Sequence, residues 1–343
     1  MSSLIDLIRK LCDIPGVSGW EDPVREKIIS LVQEHCDELH TDALGNLIAF
    51  KKGAQRPKNK LLLSAHMDEV GFIITHIEED GLLRFASVGG IDTRVVVGKS
   101  VEVGRERLYG AVGSKALHLH TDKEREEVPD RDKLFIDIGA RSKEEALEHV
   151  QPGDRAIFYA PFLSLGEDCI LGRAFDDRAG CALLVRLLQS DLPFDCHFAF
   201  TVQEETGCTG AVAAGYTVAP DIAIAVETTT ASDIAGVSAD KVVSRLGRGP
   251  VVSFMDGGTV YDSGLYRLAF DVAEREQIPC QTKSMVAGGN ESRSLQTAGT
   301  GSRVMAVSLP CRYLHSPSNV LHKQDVRDTY RLLQALIGEL GHY

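Results

Sequence analysis

Five apolar, β-prone runs in this chain each lead into side chains that resist burial without a partner. Leu61-Leu-Leu-Ser-Ala ends in His66-Met67-Asp68, Leu171-Gly-Arg-Ala-Phe in Asp176-Asp177, and Phe198-Ala-Phe-Thr-Val-Gln in Glu204-Glu205. Ile222-Ala-Ile-Ala-Val ends in Glu227, and Val304-Met-Ala-Val-Ser-Leu leads on to His315. Each ending has an ordinary explanation by itself. A histidine after a strand is usually a surface residue, Asp176-Asp177 can cap a helix, and Glu204-Glu205 can face solvent. Taken together they constrain the fold, because open α/β sheets bind ligands at the carboxyl ends of their strands. Residues far apart in sequence would then meet along one edge.

The rest of the chain fits that class. Helices are expected over about 2–12, 21–38, from about Asp177 onward, 262–277 and 323–339. Further strands are expected at about 47–51, 195–203, 221–227, 250–254 and 302–309. From Val70 to about Pro161 the texture changes to short β-like runs broken by turns, with Asp80-Gly81 as a hairpin signal. The expectation is a mixed-sheet α/β core flanked by helices, discontinuous over 1–69 and 164–343, around an inserted small β-rich domain at 70–163. A length of 343 residues has room for both units.

Charge and cysteine usage narrow the function. A formal net charge of −12 argues against a nucleic-acid surface, which needs clustered Lys and Arg, and allows acidic groups gathered around metal. The eight cysteines form no C-x-x-C pair and suit buried free thiols in a reduced, cytoplasmic compartment. No run approaches a membrane span. The N-terminal stretch, interrupted by Asp6, Arg9 and Lys10, reads as an amphipathic helix rather than a secretion signal.

The strand endings together suit a site for two metal ions. Two divalent ions about 3.5–4 Å apart need a bridging carboxylate plus a histidine and a carboxylate apiece. His66, Asp176, Glu205, Glu227 and His315 fill that count. Mixed nitrogen and oxygen donors favour zinc, cobalt or manganese over calcium. Glu204 is then left over as a general base for the attacking water. Asp68, sharing a strand face with His66, can orient its imidazole.

At this point the sequence resembles a known group. The stretches A-H-M-D-E-V-G (65–71), A-F-D-D-R-A-G (174–180), Q-E-E-T-G (203–207), V-E-T-T (226–229) and R-Y-L-H-S-P (312–317) are similar to the motifs of the tetrahedral aminopeptidases, metallopeptidase family forty-two. The likeness extends over essentially the whole chain. It implies that His66, Asp176 and Glu227 hold one ion, and that Asp176 bridges to a second held by Glu205 and His315. It further implies Glu204 as general base and acid, Asp68 as the partner of His66, and a cis peptide at Asp176–Asp177. The insertion would be a PDZ-like dimerisation domain, with dimers assembling into dodecamers that act on short peptides. Glu227 stands where the family usually has aspartate, and Ala287-Gly-Gly-Asn-Glu-Ser-Arg293 departs from the usual G-G-T-D-A.

Two rival readings remain at this level. A deacylase or carboxypeptidase on a related fold would need an anion-binding arginine, for which Arg178 or Arg293 can be nominated. A non-catalytic, metal-binding scaffold is the other. Lys283, Arg248 and Arg293 could favour acidic substrate side chains, but nothing in the sequence places them in a pocket.

Overall fold

The computed structural model describes residues 3–343. Four parallel strands form the middle of the main sheet: Cys196–Thr201, Leu61–His66, Ile222–Thr230 and Arg303–Arg312, in that spatial order. Antiparallel strands extend it on both sides, with Leu47–Lys51 and Glu38–Thr41 at one flank and Asn319–His322, Cys169–Gly172 and Leu163–Leu165 at the other.

Alternation along the central strands explains the layers. Leu61, Leu63, Ile222, Ile224, Val226, Met305 and Val307 join one core, with residues of the helices Leu4–Cys12, Phe175–Leu188 and Lys323–Leu340. Leu62, Ala199, Ala223, Ala225 and Ala306 join a second core on the opposite face, with the helices Thr209–Val218 and Ser292–Thr297. Small residues dominate this second face and let the helices approach closely. A Cβ added at Gly210 would lie 2.3 Å from the carbonyl oxygen of Val202 and 2.4 Å from Asn46 Oδ1, so only glycine fits.

The strands Gly71–Ile77, Leu83–Val88, Phe135–Asp137, Leu108–Gly113, Ser100–Val103 and Arg155–Phe158 close, in that order, into a separate barrel. Phe72, Ile74, Phe85, Val101, Ile136 and Phe158 fill it. The hairpin signal is met: Gly81, at φ +85°, turns the chain between the first two of these strands.

Two local expectations need correction, and two helices were not foreseen. The second helix covers Asp22–Val32 and not 21–38; its buried positions Val24, Ile28 and Val32 run out, and a short 3-10 turn and the strand Glu38–Thr41 follow. The strand expected at 195–203 stops at Thr201. The helices Thr209–Val218 and Ser292–Thr297 gave no periodic signal, because Gly, Ala, Ser and Thr carry little amphipathic contrast.

One buried cation ties the core together beneath the site. Arg178 is fully buried and donates to the carbonyls of Met67 (2.7 Å), Leu11 (2.6 Å) and Ile14 (2.9 Å), and to Glu69 (3.3 Å). Glu69 also pairs with buried Arg173.

Candidate metal centre

Parallel pairing brings the strand ends into line. Thr201 lies opposite His66, and Glu227 opposite Ser308, so the Glu204-Glu205 turn, His66 and Glu227 collect at the carboxyl edge of the sheet. Asp176 arrives from the start of the Phe175–Leu188 segment, after the antiparallel strand Cys169–Gly172. The adjacent aspartates divide their work. Asp177 Oδ1 accepts from the amide of Gly180 at 2.9 Å and caps the helix, while Asp176 faces the site. The peptide bond between them is cis, as the family resemblance implied.

Two overlapping triads result. His66, Asp176 and Glu227 form one, and Asp176, Glu205 and His315 the other; the candidate ligand atoms of each lie within 4.8 Å of one another. His66 Nε2 is 3.5 Å from Asp176 Oδ1 and 3.7 Å from Glu227 Oε2. His315 Nε2 is 3.3 Å from Asp176 Oδ2 and 3.4 Å from Glu205 Oε2. Both imidazoles are oriented through their other nitrogen. His66 Nδ1 lies 3.1 Å from the carbonyl oxygen of Asp68, and His315 Nδ1 lies 2.7 Å from that of Gly90, which follows the second barrel strand. A donor proton at Nδ1 leaves the Nε2 lone pair directed into the cluster.

Asp68 does more than the sequence suggested. Its carboxylate is 3.4 Å from His66 Nδ1, farther than its own carbonyl, and it accepts from Ser18 Oγ (2.6 Å) and from the amides of Glu204 (3.0 Å) and Glu205 (3.1 Å). Asp68 thereby fixes the turn that presents both glutamates. That turn lies beyond the strand end, with Gln203 at φ +57°, so turn geometry rather than strand alternation separates the two side chains. Glu204 Oε2 is 3.9 Å from His66 Nε2, and Glu204 Oε1 accepts from Cys208 Sγ at 3.3 Å.

The electrostatics are those of a site built around cations. Burial pushes Glu205 up to about 8, and it raises Glu227 well above the ordinary carboxylate range. Burial opposes a charge on His66, but Asp176, Asp68 and the nearby glutamates outweigh it and hold its pKa well above the usual imidazole value. Asp176 is held low against burial by the two histidines. Glu205 Oε1 is buried and has no hydrogen-bond partner. An acceptor orphaned in this way beside imidazole nitrogens fits a divalent cation of borderline softness, and the donor set suits two.

Two residues of the site were given no role in the sequence reading. Glu291 is fully buried beneath the cluster, taking hydrogen bonds from Ser64 and Thr201 while its amide donates to Glu227 Oε1 at 3.4 Å. Thr228 Oγ1 donates to Asp176 Oδ1 at 2.8 Å. Thr228 lies in the V-E-T-T stretch and Glu291 in the Ala287–Arg293 stretch, but these contacts join segments far apart in the chain, so only the fold reveals them. The cluster opens into a cleft of about 420 Å³ lined also by Thr228–Thr230, Val243, Lys283, Gly288–Asn290 and Leu314. A larger depression of about 760 Å³ around Lys60 and His197 contains none of the cluster. Arg178 has its guanidinium taken up by carbonyls and Glu69, and Arg293 does not line the cleft, so neither is placed to bind a substrate carboxylate.

The fold that gathers this cluster is shared with solved aminopeptidases. The aminopeptidase of the archaeon Desulfurococcus kamchatkensis superposes with a TM-score of 0.93 at 34% identity, covering 98% of this chain and 94% of that one. The chain belongs to the M42 glutamyl aminopeptidase family, whose profile it matches over residues 45–332. The lysyl aminopeptidase of Pyrococcus furiosus is 32% identical over 98% of this chain and 97% of its own length. The TET1 peptidase of Pyrococcus horikoshii, which can assemble into a tetrahedron or a large octahedral shell, matches with a TM-score of 0.87 at 36% identity over 98% of this chain and all of that one.

Proposed function

We propose that this aminopeptidase is a co-catalytic, dinuclear metalloenzyme that releases N-terminal residues from short peptides. The observation that carries the reading is the pair of triads sharing Asp176, with Glu204 as the carboxylate left beside them. His66, Asp176 and Glu227 would hold one divalent ion, and Asp176, Glu205 and His315 the other, with zinc, cobalt or manganese matching the donors. Two such ions would polarise the scissile carbonyl and acidify the attacking water.

The remaining chemistry belongs to the chain. Glu204 takes the proton from the water and returns it to the leaving amine. Burial raises its pKa, which suits a carboxyl that must hold a proton between two transfers. Asp68 keeps the Glu204-Glu205 turn in register with His66. The free α-amine of the peptide docks against the acidic wall of the cleft.

The domain reading completes the proposal. Residues 1–69 and 164–343 would be the catalytic unit, and 70–163 the dimerisation unit from which dodecamers are built. Exposed Tyr109, Leu117, Leu119 and Tyr159 within that segment support a subunit contact. Eight free thiols suit a cytoplasmic setting, and among the described residues no helix is long and apolar enough to cross a membrane.

The deciding assay compares unblocked and N-acylated aminoacyl-anilides with Co²⁺, Zn²⁺ and Mn²⁺, before and after chelation. Turnover only of unblocked substrates, lost on chelation and restored by metal, is expected. Preference for blocked substrates, or full activity after metal removal, would overturn the reading.

A further inference from the structure

Of the carboxylates lining the cleft, Glu204 is the one that neither triad uses. Its two oxygens face different surroundings. Oε1 accepts from Cys208 Sγ at 3.3 Å, at the start of the helix Thr209–Val218, while Oε2 points into the cluster, 3.9 Å from His66 Nε2. The thiols of Cys12, Cys36, Cys181, Cys196 and Cys311 each donate to a backbone carbonyl, whereas that of Cys208 donates to a carboxylate.

The backbone is bent to bring the thiol there. The amides of Gly207 and Cys208 both donate to the carbonyl of Glu204 at 2.9 Å, closing a turn that returns the Cys208 side chain over Glu204. Cys208 takes φ +57°, a left-handed conformation that glycine adopts freely and a residue with a Cβ does not. A side chain kept at such a position points to a use for the side chain itself. Cys208 does not line the cleft and packs against the second core, so it stands behind Glu204 and not beside a bound peptide. Burial, with Glu204, Glu291 and Glu227, pushes its thiol up, so it remains an S–H donor and not a thiolate nucleophile. Without that donor Glu204 would be free to rotate. Its Oε2 already lies near the nitrogen that His66 directs into the first triad, and a carboxylate bound to a cation there is a poor base.

We propose that Cys208 is a positioning residue for the general base: its thiol holds one oxygen of Glu204, turns the other toward the attacking water, and keeps Glu204 from closing onto the metal centre as an added ligand. The inference rests on the reading of Glu204 as base, and its test separates the two. Wild type, Cys208→Ala, Cys208→Ser, Glu204→Gln and the double variant Glu204→Gln/Cys208→Ala are compared for kcat and KM on an unblocked aminoacyl-anilide, and for Co²⁺ affinity by calorimetry. Alanine already occupies the same left-handed conformation at Ala174 and Ala219, so Cys208→Ala tests the thiol and not the backbone. Cys208→Ala should lower kcat about three- to tenfold, the worth of one hydrogen bond, with KM unchanged and Co²⁺ bound more tightly than in wild type. Cys208→Ser, which keeps a donor, should recover most of kcat. In the Glu204→Gln background both effects of Cys208→Ala should vanish, since the thiol acts through that carboxylate. Wild-type kcat in Cys208→Ala would overturn the proposal, as would Co²⁺ binding no tighter than wild type. So would an equal fall in kcat with and without the Glu204 carboxylate, which marks a residue that only packs the helix start. Should Glu204→Gln itself keep wild-type kcat, the base reading fails, and the Co²⁺ affinity of Cys208→Ala with and without that carboxylate still decides the tether.

Discussion

Glu204 and Glu205 are sequence neighbours with different surroundings. Glu204 has Cys208 on one oxygen and His66 near the other, while Glu205 is paired with His315 and has an oxygen with no partner. Replacing each by glutamine should therefore fail in different ways. Glu204→Gln should lower kcat about 10²–10⁴-fold, the range for a lost general base, with metal content retained. Glu205→Gln should lose one metal equivalent, read by elemental analysis after dialysis. If Glu204→Gln kept wild-type kcat, its role would be wrongly assigned. The same residues set a pH dependence. Burial puts Glu205 at about 8, and Asp176 and Glu205 push His315 up to about 9 against its burial. Both hold protons at neutral pH when no cation is bound, and ligation must expel them. Metal affinity is thus expected to rise between about pH 6 and pH 9, with proton release on binding. Calorimetry in buffers of differing ionisation enthalpy measures both, and an affinity flat across that range would count against these ligands.

Among the elements, the central strands were the most legible. Leu61–His66 and Ile222–Thr230 open on apolar runs, Leu61-Leu-Leu and Ile222-Ala-Ile-Ala-Val, because parallel strands covered on both faces have no solvent side to mark with polar residues. Helices with a strong apolar stripe, such as Leu4–Cys12 and Lys323–Leu340, were legible for the opposite reason. Thr209–Val218 was not, since close packing through Gly210, Ala211, Ala214 and Gly215 replaces a stripe of large residues. The Phe175–Leu188 segment carries a prediction of its own. Arg178 holds the carbonyls of Leu11, Ile14 and Met67 around one guanidinium beside Glu69. Its loss leaves three buried carbonyls without that donor while Glu69 keeps Arg173, so Arg178→Met should destabilise the fold by at least about 1–3 kcal/mol. Denaturant unfolding of the metal-loaded protein tests this, and a loss below about 1 kcal/mol would mean that the carbonyls and Glu69 are readily satisfied by water.

For the molecule as a whole, metal and assembly should appear as stability. An ion that binds only the folded state adds about 2.7 kcal/mol at a hundredfold excess over its Kd. The melting temperature should drop on chelation and recover with Zn²⁺ or Co²⁺; no shift would argue against resident ions. On the barrel, Tyr109 and Tyr159 form an exposed aromatic pair with ring centroids 5.2 Å apart. If this segment is the subunit contact, Tyr109→Glu should lower the particle mass seen by light scattering. An unchanged mass would place the contact elsewhere. The sequence by itself determined the α/β class, the presence of a small β-rich unit and the identities of the six residues that meet at the cluster, because strand periodicity and strand-end chemistry are local properties. It also carried the family likeness. Only the tertiary structure decided how those residues pair into triads, that Asp68 secures the Glu204-Glu205 turn, that Glu291 and Thr228 brace Glu227 and Asp176, and that Lys283, of the three cations nominated, lines the cleft. These contacts join segments far apart in the chain, and their distances are set by sheet register and helix packing, which no local pattern encodes.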